Sequence, residues 1–172
     1  MLQKCTETSL GLLAELSRKT FVDAFKDSND PHDFETYINT AFDPQQLQKE
    51  LADPYTAFYL VYLRNTVVGY FKTNVETAQT DVKRSDSMEL ERIYVLQAYQ
   101  GQGLGQWILE QVTAQALANG KMFLWLGVWE KNPGAIRFYR QNGFVKFGTH
   151  PYYIGNDKQT DWLMRRILKD PD

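Results

Sequence analysis

Apolar residues recur at helical spacing in some segments of the chain and at strand spacing in others, with short polar stretches between them. Residues 9–25 carry leucines and phenylalanines on or near one helical face, which predicts an amphipathic helix. Two aspartate-proline pairs follow, and this pairing favours a helix start. Short helices are therefore predicted near 31–39 and 44–52.

The remaining segments alternate between strands and helices. Phe123–Trp129 is almost entirely apolar, as expected of a central strand covered on both faces. The pattern predicts strands at 57–63 and 67–74 joined by a hairpin, a polar loop at 77–87, a strand at 88–95, helices at 103–118 and 133–141, and closing strands at 144–149 and 160–168. With 172 residues and neither repeats nor a linker, residues 1–172 are expected to form one mixed α/β domain.

Composition narrows the class of protein. A hydrophobic fraction of 43% with 23% charged residues is typical of a folded protein. The longest apolar runs are much shorter than a membrane span, and the N-terminus lacks the pattern of a signal peptide, so we expect a cytoplasmic protein without a membrane partner. The single cysteine, Cys5, excludes an internal disulfide and is expected to be a core residue. With only two distant histidines, no metal site is predicted.

Charge is unevenly distributed, although the net charge is only −2. Residues 23–54 hold eight acidic residues and two lysines, so the rest of the chain is net basic. This asymmetry suits a protein that receives one cationic and one anionic partner, although several of these aspartates are equally expected as helix caps. The sequence has no stripe of lysine and arginine residues, so we do not expect the protein to bind nucleic acid. The aromatic content of 14% allows for an exposed apolar patch, so a homodimer stays an open alternative.

The most informative segment is the strand at 88–95 with the loop that follows it. Gly101, Gly103 and Gly105 stand at every second position, and a helical pattern begins at once. Glycines at a helix start let a ligand approach the backbone, and the free N–H groups there bind anions. The spacing excludes the Gly-x-Gly-x-x-Gly dinucleotide fingerprint, and no Gly-Lys-Ser/Thr of a P-loop occurs. A phosphate or pyrophosphate site of another kind is predicted.

Two motifs together carry a family resemblance. The sequence Gln100-x-x-Gly-x-Gly after a strand resembles the coenzyme A pyrophosphate loop of the GNAT N-acetyltransferase superfamily. One strand downstream, Asn132-x-x-Ala-x-x-Phe-Tyr-x-x-x-Gly-Phe144 resembles the second half of the GNAT pattern. Longer strings around Glu91, Trp125 and residues 155–161 are similar to the bacterial polyamine acetyltransferases of the PaiA type.

This resemblance implies a GNAT fold, in which a mostly antiparallel twisted sheet of about six to seven strands is flanked by helices and one strand pair splays for acetyl-CoA. It implies acetyl-CoA as co-substrate and transfer of its acetyl group to an amine. The acetyl-CoA site would be formed by Ile93, Tyr94, Val95, Gln100, Gly101, Gln102, Gly103, Leu104, Gly105, Gln106, Asn132, Ala135 and Tyr139.

The resemblance also implies catalytic roles. Tyr139 would face the thioester sulfur and give a proton to the leaving thiolate, and Glu89 or Glu91 would serve as general base. On sequence grounds alone, Tyr139 is equally a core residue, Asn132 an N-cap, and each glutamate a salt-bridged strand residue. Glu89 and Glu91 share a face with Ile93 and Val95 if the strand is regular. Glutamine at position 100 replaces an arginine of many relatives, so one positive charge on the phosphates is missing.

The acceptor is the least determined part. A small polyamine such as spermidine or spermine is favoured by the PaiA-like strings and by the acidic 23–54 segment, which in this superfamily lies near the acceptor groove. Acetylation of a protein or peptide amine stays open, as does a non-catalytic regulator that senses acyl-CoA. Because no cysteine lies in the matched segment, direct attack of the amine in a ternary complex is the simpler route.

Overall fold

A computed structural model describes residues 1–169 of the chain. Five helices and seven strands are found in this part of the chain, with short 3-10 turns between some of them. The strands are β1 (Leu2–Lys4), β2 (Thr56–Leu63), β3 (Thr66–Val75), β4 (Ser87–Val95), β5 (Phe123–Trp129), β6 (Val145–Ile154) and β7 (Asp157–Ile167). The helices are α1 (Leu10–Phe25), α2 (Pro31–Ala41), α3 (Pro44–Ala52), α4 (Leu104–Ala118) and α5 (Pro133–Gln141).

The seven strands form one sheet in the order β1-β2-β3-β4-β5-β7-β6. Every neighbouring pair is antiparallel except β4 and β5, which are parallel. Only three residue pairs join β4 to β5, the last being Glu89 with Trp125, and beyond it the two strands splay apart. The predicted mixed α/β fold with a splayed strand pair is thereby confirmed.

The closing strands are longer than predicted. The expected 144–149 and 160–168 are parts of a hairpin that continues to Ile154 and restarts at Asp157. Gly155 makes the turn with φ of +57°. Pro151 hid the continuation in the sequence, but β6 lies at the edge of the sheet, where a missing N–H is tolerated.

Strand β4 is not regular, so the expected alternation of its side chains is wrong. Lys72 of β3 pairs with Arg92, but the next residue, Thr73, pairs with Leu90, which leaves Glu91 as the extra residue of a β-bulge. Leu90 and Ile93 consequently pack against the same core cluster, although a regular strand would point them to opposite faces. Glu89 and Ile93 therefore do not share a face.

Helices cover both faces of the sheet. On one face, Ile108 and Val112 of α4 and Ile136 of α5 pack with Leu90 and Leu124 in the largest core cluster. On the other face, α1 and α3 pack against β2 and β3 in one cluster, and α1 and α2 pack against Ile154 of β6 and Tyr94 of β4 in another. Cys5 is buried there as predicted, and burial raises the pKa of its thiol to about 11. Among residues 1–169, no helix has the length and hydropathy needed to cross a membrane.

Candidate active site

A cavity of about 700 Å³ lies where the splayed end of β4 meets the loop before α4. Its walls come from α1, the end of β4, the residues between β4 and α4, and α5. Nearly all of the residues that the resemblance assigned to acetyl-CoA line it, namely Ile93, Tyr94, Val95, Gln100, Gly101, Gly103, Leu104, Gly105, Gln106, Asn132, Ala135 and Tyr139. The exception is Gln102, whose side chain donates to the Ala98 carbonyl at 3.4 Å and lies outside the cavity wall.

The loop has the backbone conformation that its glycines permit. Gly101 and Gly103 have φ of +73° and +79°, in the left-handed region that other residues rarely adopt. A Cβ added at either position would meet no protein atom within 4 Å, so the space beside the backbone is open to a ligand. Gly105 has a different reason to be glycine, since a Cβ there would lie 3.2 Å from the Phe138 ring that packs against α4.

The backbone N–H groups of residues 101–106 point to an anion as their partner. None of them donates to a protein acceptor within residues 1–169, and the last four belong to the loop junction and first turn of α4, where the helix dipole is positive. A 15-residue helix, two glycines with positive φ and a large open cavity together fit a diphosphate. The residues present therefore suit the diphosphate of coenzyme A.

No lysine or arginine side chain of the described chain lines this cavity. Gln100, which stands where many relatives carry arginine, donates from Nε2 to the Val95 carbonyl at 2.9 Å. Arg140 of α5 lies over the Trp162 ring at 5.4 Å, and neither it nor Lys131 nor Arg137 lines the cavity. At this wall of the described chain, the groups available to an anion are therefore mainly backbone amides.

A second cavity of about 200 Å³ opens between the splayed strands β4 and β5. The two cavities share six wall residues, which come from α1, β4 and α5: Phe25, Ile93, Tyr94, Asn132, Ala135 and Tyr139. Aromatic rings of Phe21, Phe25, Trp129 and Tyr152 form much of the smaller cavity, and the amides of Asn29 and Gln159 also line it. Molecules bound in the two cavities would meet at the shared wall.

Tyr139 lies at that wall and is 8% exposed. Its ring packs edge-on against Phe144 at 5.7 Å, and Asn132 precedes it by two helical turns. Burial raises the pKa of its phenol, so the hydroxyl stays protonated at neutral pH. Within residues 1–169 no hydrogen bond engages this hydroxyl, which leaves it available as a donor to a group in either cavity.

Asn132 caps a helix and also lies at the wall between the cavities. Its Oδ1 accepts from the Ala135 N–H at 3.1 Å and so caps α5, whose first residue is Pro133. The residue also lines both cavities. Capping uses the oxygen, which leaves the amide Nδ2 to interact with a ligand.

Glu89 lies outside both cavity walls. Its carboxylate is buried and accepts hydrogen bonds from the Thr80 N–H at 2.9 Å, the Thr80 hydroxyl at 2.5 Å and Asn74 Nδ2 at 3.0 Å. Burial, followed by repulsion from Glu91, raises its pKa. These contacts attach the loop after β3 to the sheet, which is a structural task.

Glu91 lines the smaller cavity, but its carboxylate is held by other side chains. Lys72 Nζ lies 2.5 Å from Oε2, and Asn74 Nδ2 donates to the same oxygen at 2.6 Å. Burial alone would raise the pKa of Glu91, but the charges of Lys72 and Arg92 outweigh burial and hold the pKa below its ordinary value. A carboxylate in this state is a weak proton acceptor.

Asp161 is a cavity residue to which the sequence reasoning assigned no role. It lies on β7 opposite Trp129 of β5 and His150 of β6, and its carboxyl lines the smaller cavity. Burial raises its pKa to about 6, and a smaller effect of His150 opposes the shift. No hydrogen bond or ion pair among residues 1–169 engages this carboxylate.

A glycine in β5 makes room for the Asp161 carboxylate. A Cβ at Gly127 would lie 3.4 Å from Asp161 Oδ2, and Gly127 is exposed although it lies in a central strand. Glycine within an apolar strand often marks the close approach of a ligand. This glycine was the signal in the sequence that could have indicated the cavity.

The acidic 23–54 segment contributes less to the acceptor cavity than expected. Phe25 and Asn29 line that cavity, but none of the eight acids does. Asp30 caps α2 through the N–H groups of His32 and Asp33, and Glu50 Oε2 lies 3.0 Å from Lys72 Nζ. Asp23 lines only the larger cavity.

Comparisons with known proteins identify the family of this chain. The model of the Acetyltransferase (GNAT) family matches residues 13–144. An uncharacterised N-acetyltransferase in the pepI 3' region of Lactobacillus delbrueckii subsp. lactis is 34% identical over 163 residues, which are 95% of this chain and 94% of that protein.

Solved structures share the fold. A PaiA N-acetyltransferase from Thermoplasma acidophilum in complex with coenzyme A has a TM-score of 0.79 at 19% identity and covers 97% of this chain and 98% of its own. A spermidine N-acetyltransferase SpeG chimera from Vibrio cholerae and hSSAT has a TM-score of 0.71 at 17% identity, with 98% and 95% covered.

The chain belongs to the GNAT family of acetyltransferases and is an acetyl-CoA-dependent N-acetyltransferase. The predicted acyltransferase activity and the acetyl-CoA co-substrate are thereby confirmed.

Proposed function

We propose that this N-acetyltransferase transfers the acetyl group to a primary amine of a small polyamine such as spermidine or spermine. The observation that carries the proposal is the 200 Å³ cavity, which shares the Tyr139 wall with the acetyl-CoA cavity and combines aromatic rings with the unpaired Asp161 carboxylate. Aromatic faces and a carboxylate attract ammonium groups, and the narrow space between them suits an aliphatic chain.

The comparisons lend weaker support. Two structures that share the fold are named as a PaiA N-acetyltransferase and a spermidine N-acetyltransferase. Identity below 20% means that this likeness concerns the fold, so the acceptor is argued from the cavity itself.

In the proposed mechanism the larger cavity holds acetyl-CoA by its diphosphate and orients its pantetheine arm. The N–H groups of residues 101–106 bind the diphosphate, and the edge of β4 beyond Glu89, which has no strand partner on the β5 side, pairs with the arm. Acetyl-CoA supplies an activated acyl group on a thiol leaving group. A backbone N–H of residues 93–95 would face the acetyl oxygen, where one such donor contributes about 2.7–4 kcal/mol.

Tyr139 acts as the general acid of this mechanism. Its buried phenol stays protonated and lies at the wall between donor and acceptor, where a departing thiolate needs a proton. Asn132, with its free amide nitrogen, orients the pantetheine arm or the incoming amine. Direct attack in a ternary complex needs no covalent enzyme intermediate, and the buried Cys5 lines neither cavity.

A thiol-release assay with acetyl-CoA and a panel of amines tests the proposal. The panel contains spermidine, spermine, a monoamine of similar length and peptides with free amino groups. We expect turnover with the polyamines and little with the peptides. Turnover confined to peptides would select a protein N-acetyltransferase, and tight acetyl-CoA binding without turnover would select an acyl-CoA sensor.

A further inference from the structure

Among residues 1–169, Asp161 differs from Glu89 and Glu91 in that no hydrogen bond or ion pair engages its carboxylate. Glu89 is saturated with hydrogen bonds, and Glu91 is paired with Lys72. The Asp161 carboxylate instead lies over Gly127 at the exposed opening between the splayed strands. Keeping a half-buried acid unpaired costs stability, so its persistence beside a cavity indicates a ligand.

We propose that Asp161 is the carboxylate that binds the cationic nitrogen of the acceptor and takes its proton before the attack on acetyl-CoA. This inference rests on the proposed function. It moves the role of general base from the glutamates of β4 to a residue of β7.

The proton balance of the reaction gives Asp161 a defined task. A primary ammonium with a pKa of about 10.4 is almost fully protonated at neutral pH and has no lone pair to attack with. Asp161 takes one proton, the nitrogen lone pair forms the C–N bond, and the C–S bond breaks with its electrons on sulfur. Tyr139 protonates the thiolate and regains a proton from the acylated nitrogen. Asp161 then releases its proton to solvent, which is the one proton that the overall reaction produces.

The surroundings of Asp161 suit this task. An ordinary carboxylate is too weak a base for an ammonium, and burial moves Asp161 to a pKa of about 6, closer to the working range of a general base. The titratable or charged groups that face its cavity are Glu91 and Arg92 of β4, Tyr94 of β4, Tyr139 of α5 and Tyr152 of β6, with His150 as its cross-strand neighbour. Glu91 and Arg92 carry opposite charges 3.7 Å apart. The pKa of Asp161 responds to burial and to His150.

The test compares pH profiles of kcat/KM for the wild type and Asp161→Asn, using whichever amine of the panel is turned over. For the wild type we expect kcat/KM to rise with pH, with an apparent pKa near 6, and to stay constant above it. We call this rise the acidic limb. Asp161→Asn should lose that limb and fall about 10²- to 10⁴-fold at pH 7. Its rate should then rise about tenfold per pH unit towards pH 10, because only the free amine reacts.

Two further variants separate Asp161 from its neighbours. Glu110→Gln removes one exposed negative charge from α4, outside both cavities, and should match the wild type. Glu91→Gln should keep the limb near pH 6. Loss of the limb in Glu91→Gln with its retention in Asp161→Asn would overturn the inference, as would an Asp161→Asn rate within twofold of the wild type.

Binding separates failure of this inference from failure of the proposed function. By calorimetry with spermidine, Asp161→Asn should bind at least tenfold more weakly than the wild type. Turnover of peptides alone, with the limb lost in Asp161→Asn, would overturn the polyamine acceptor and leave Asp161 as the base. Wild-type protein that neither binds nor acetylates any amine of the panel would overturn both.

Discussion

The two cavities that meet at Tyr139 are lined by different kinds of chemical group. Backbone N–H groups and glycines form the phosphate end of the larger one, whereas side chains from four separate parts of the chain form the smaller one. Backbone amides recognise what every acyl-CoA has in common, while side chains can vary with the acceptor. The comparison predicts that changes at the loop affect all substrates alike and that changes around Asp161 depend on the amine.

The largest effect on acetyl-CoA affinity is expected from Gly103→Val. Valine is strained at a φ of +79°, and its side chain fills the open space beside the N–H groups. Losing two charge-assisted hydrogen bonds at about 1.5–3 kcal/mol each corresponds to at least a 100-fold loss of acetyl-CoA affinity, measured by calorimetry.

Gly11→Ala is the matched control for this loop variant, because Gly11 lies in α1 with nothing within 4 Å of an added Cβ. It should bind acetyl-CoA as the wild type does. Unchanged affinity in folded Gly103→Val would contradict the assignment of the loop to the diphosphate.

Tyr139→Phe should affect the chemical step and not the binding of acetyl-CoA. Phenylalanine keeps the packing against Phe144 but removes the proton donor. We expect kcat to fall about 10²- to 10⁴-fold with every amine, while acetyl-CoA affinity changes less than about twofold. Steady-state kinetics and calorimetry measure the two quantities. A loss of affinity equal to the loss in kcat would instead assign Tyr139 to binding.

Asp161→Asn should make the fold more stable at neutral pH. The folded-state pKa of about 6 lies above an unfolded value near ~3.9, so ionisation of Asp161 destabilises the native state above that window. The cost rises as the pH passes from about 4 to 6 and reaches up to about 3 kcal/mol at pH 7.5. Urea unfolding should show this gain for Asp161→Asn at pH 7.5 and none near pH 3.5. Equal or lower stability at pH 7.5 would mean that the carboxylate has a stabilising partner.

The smallest effect is expected from Gln100→Arg. An arginine at this cavity wall restores the charge that many relatives carry, and an exposed ion pair contributes about 0.3–1 kcal/mol. Acetyl-CoA should bind about 2- to 5-fold more tightly, with the largest gain at low salt. Gln102→Arg is the control, since its side chain lies outside the cavity wall. Equal gains in both variants would indicate a general charge effect.

The difference between a cavity lined by backbone groups and one lined by side chains also explains how much of the site could be predicted from the sequence. The loop from Gln100 to Gly105 and the α5 motif from Asn132 to Phe144 are contiguous, so the glycine spacing predicts a phosphate site at a helix start, and the resemblance that the two motifs carry implies coenzyme A. The helices and most strands follow for the same reason, because local period and capping residues determine them.

Asp161 could not be found in this way. Its position in the cavity depends on the pairing of β7 with β5 and on the missing side chain of Gly127, which are distant in sequence. The bulge at Glu91 likewise shifts the side chains of β4, and no local signal in Glu91 or its neighbours indicates it. The acidic 23–54 segment places none of its acids in the smaller cavity; instead, Asp30 caps α2 and Glu50 pairs with Lys72.

A crystal structure with spermidine covalently joined to coenzyme A through an acetyl linker tests the meeting of the two cavities most directly. We predict that the diphosphate accepts hydrogen bonds from the N–H groups of residues 101–106, that the linker lies beside Tyr139 and that the polyamine runs past Asp161. A diphosphate bound away from the loop, or a polyamine that leaves by another route, would contradict the account.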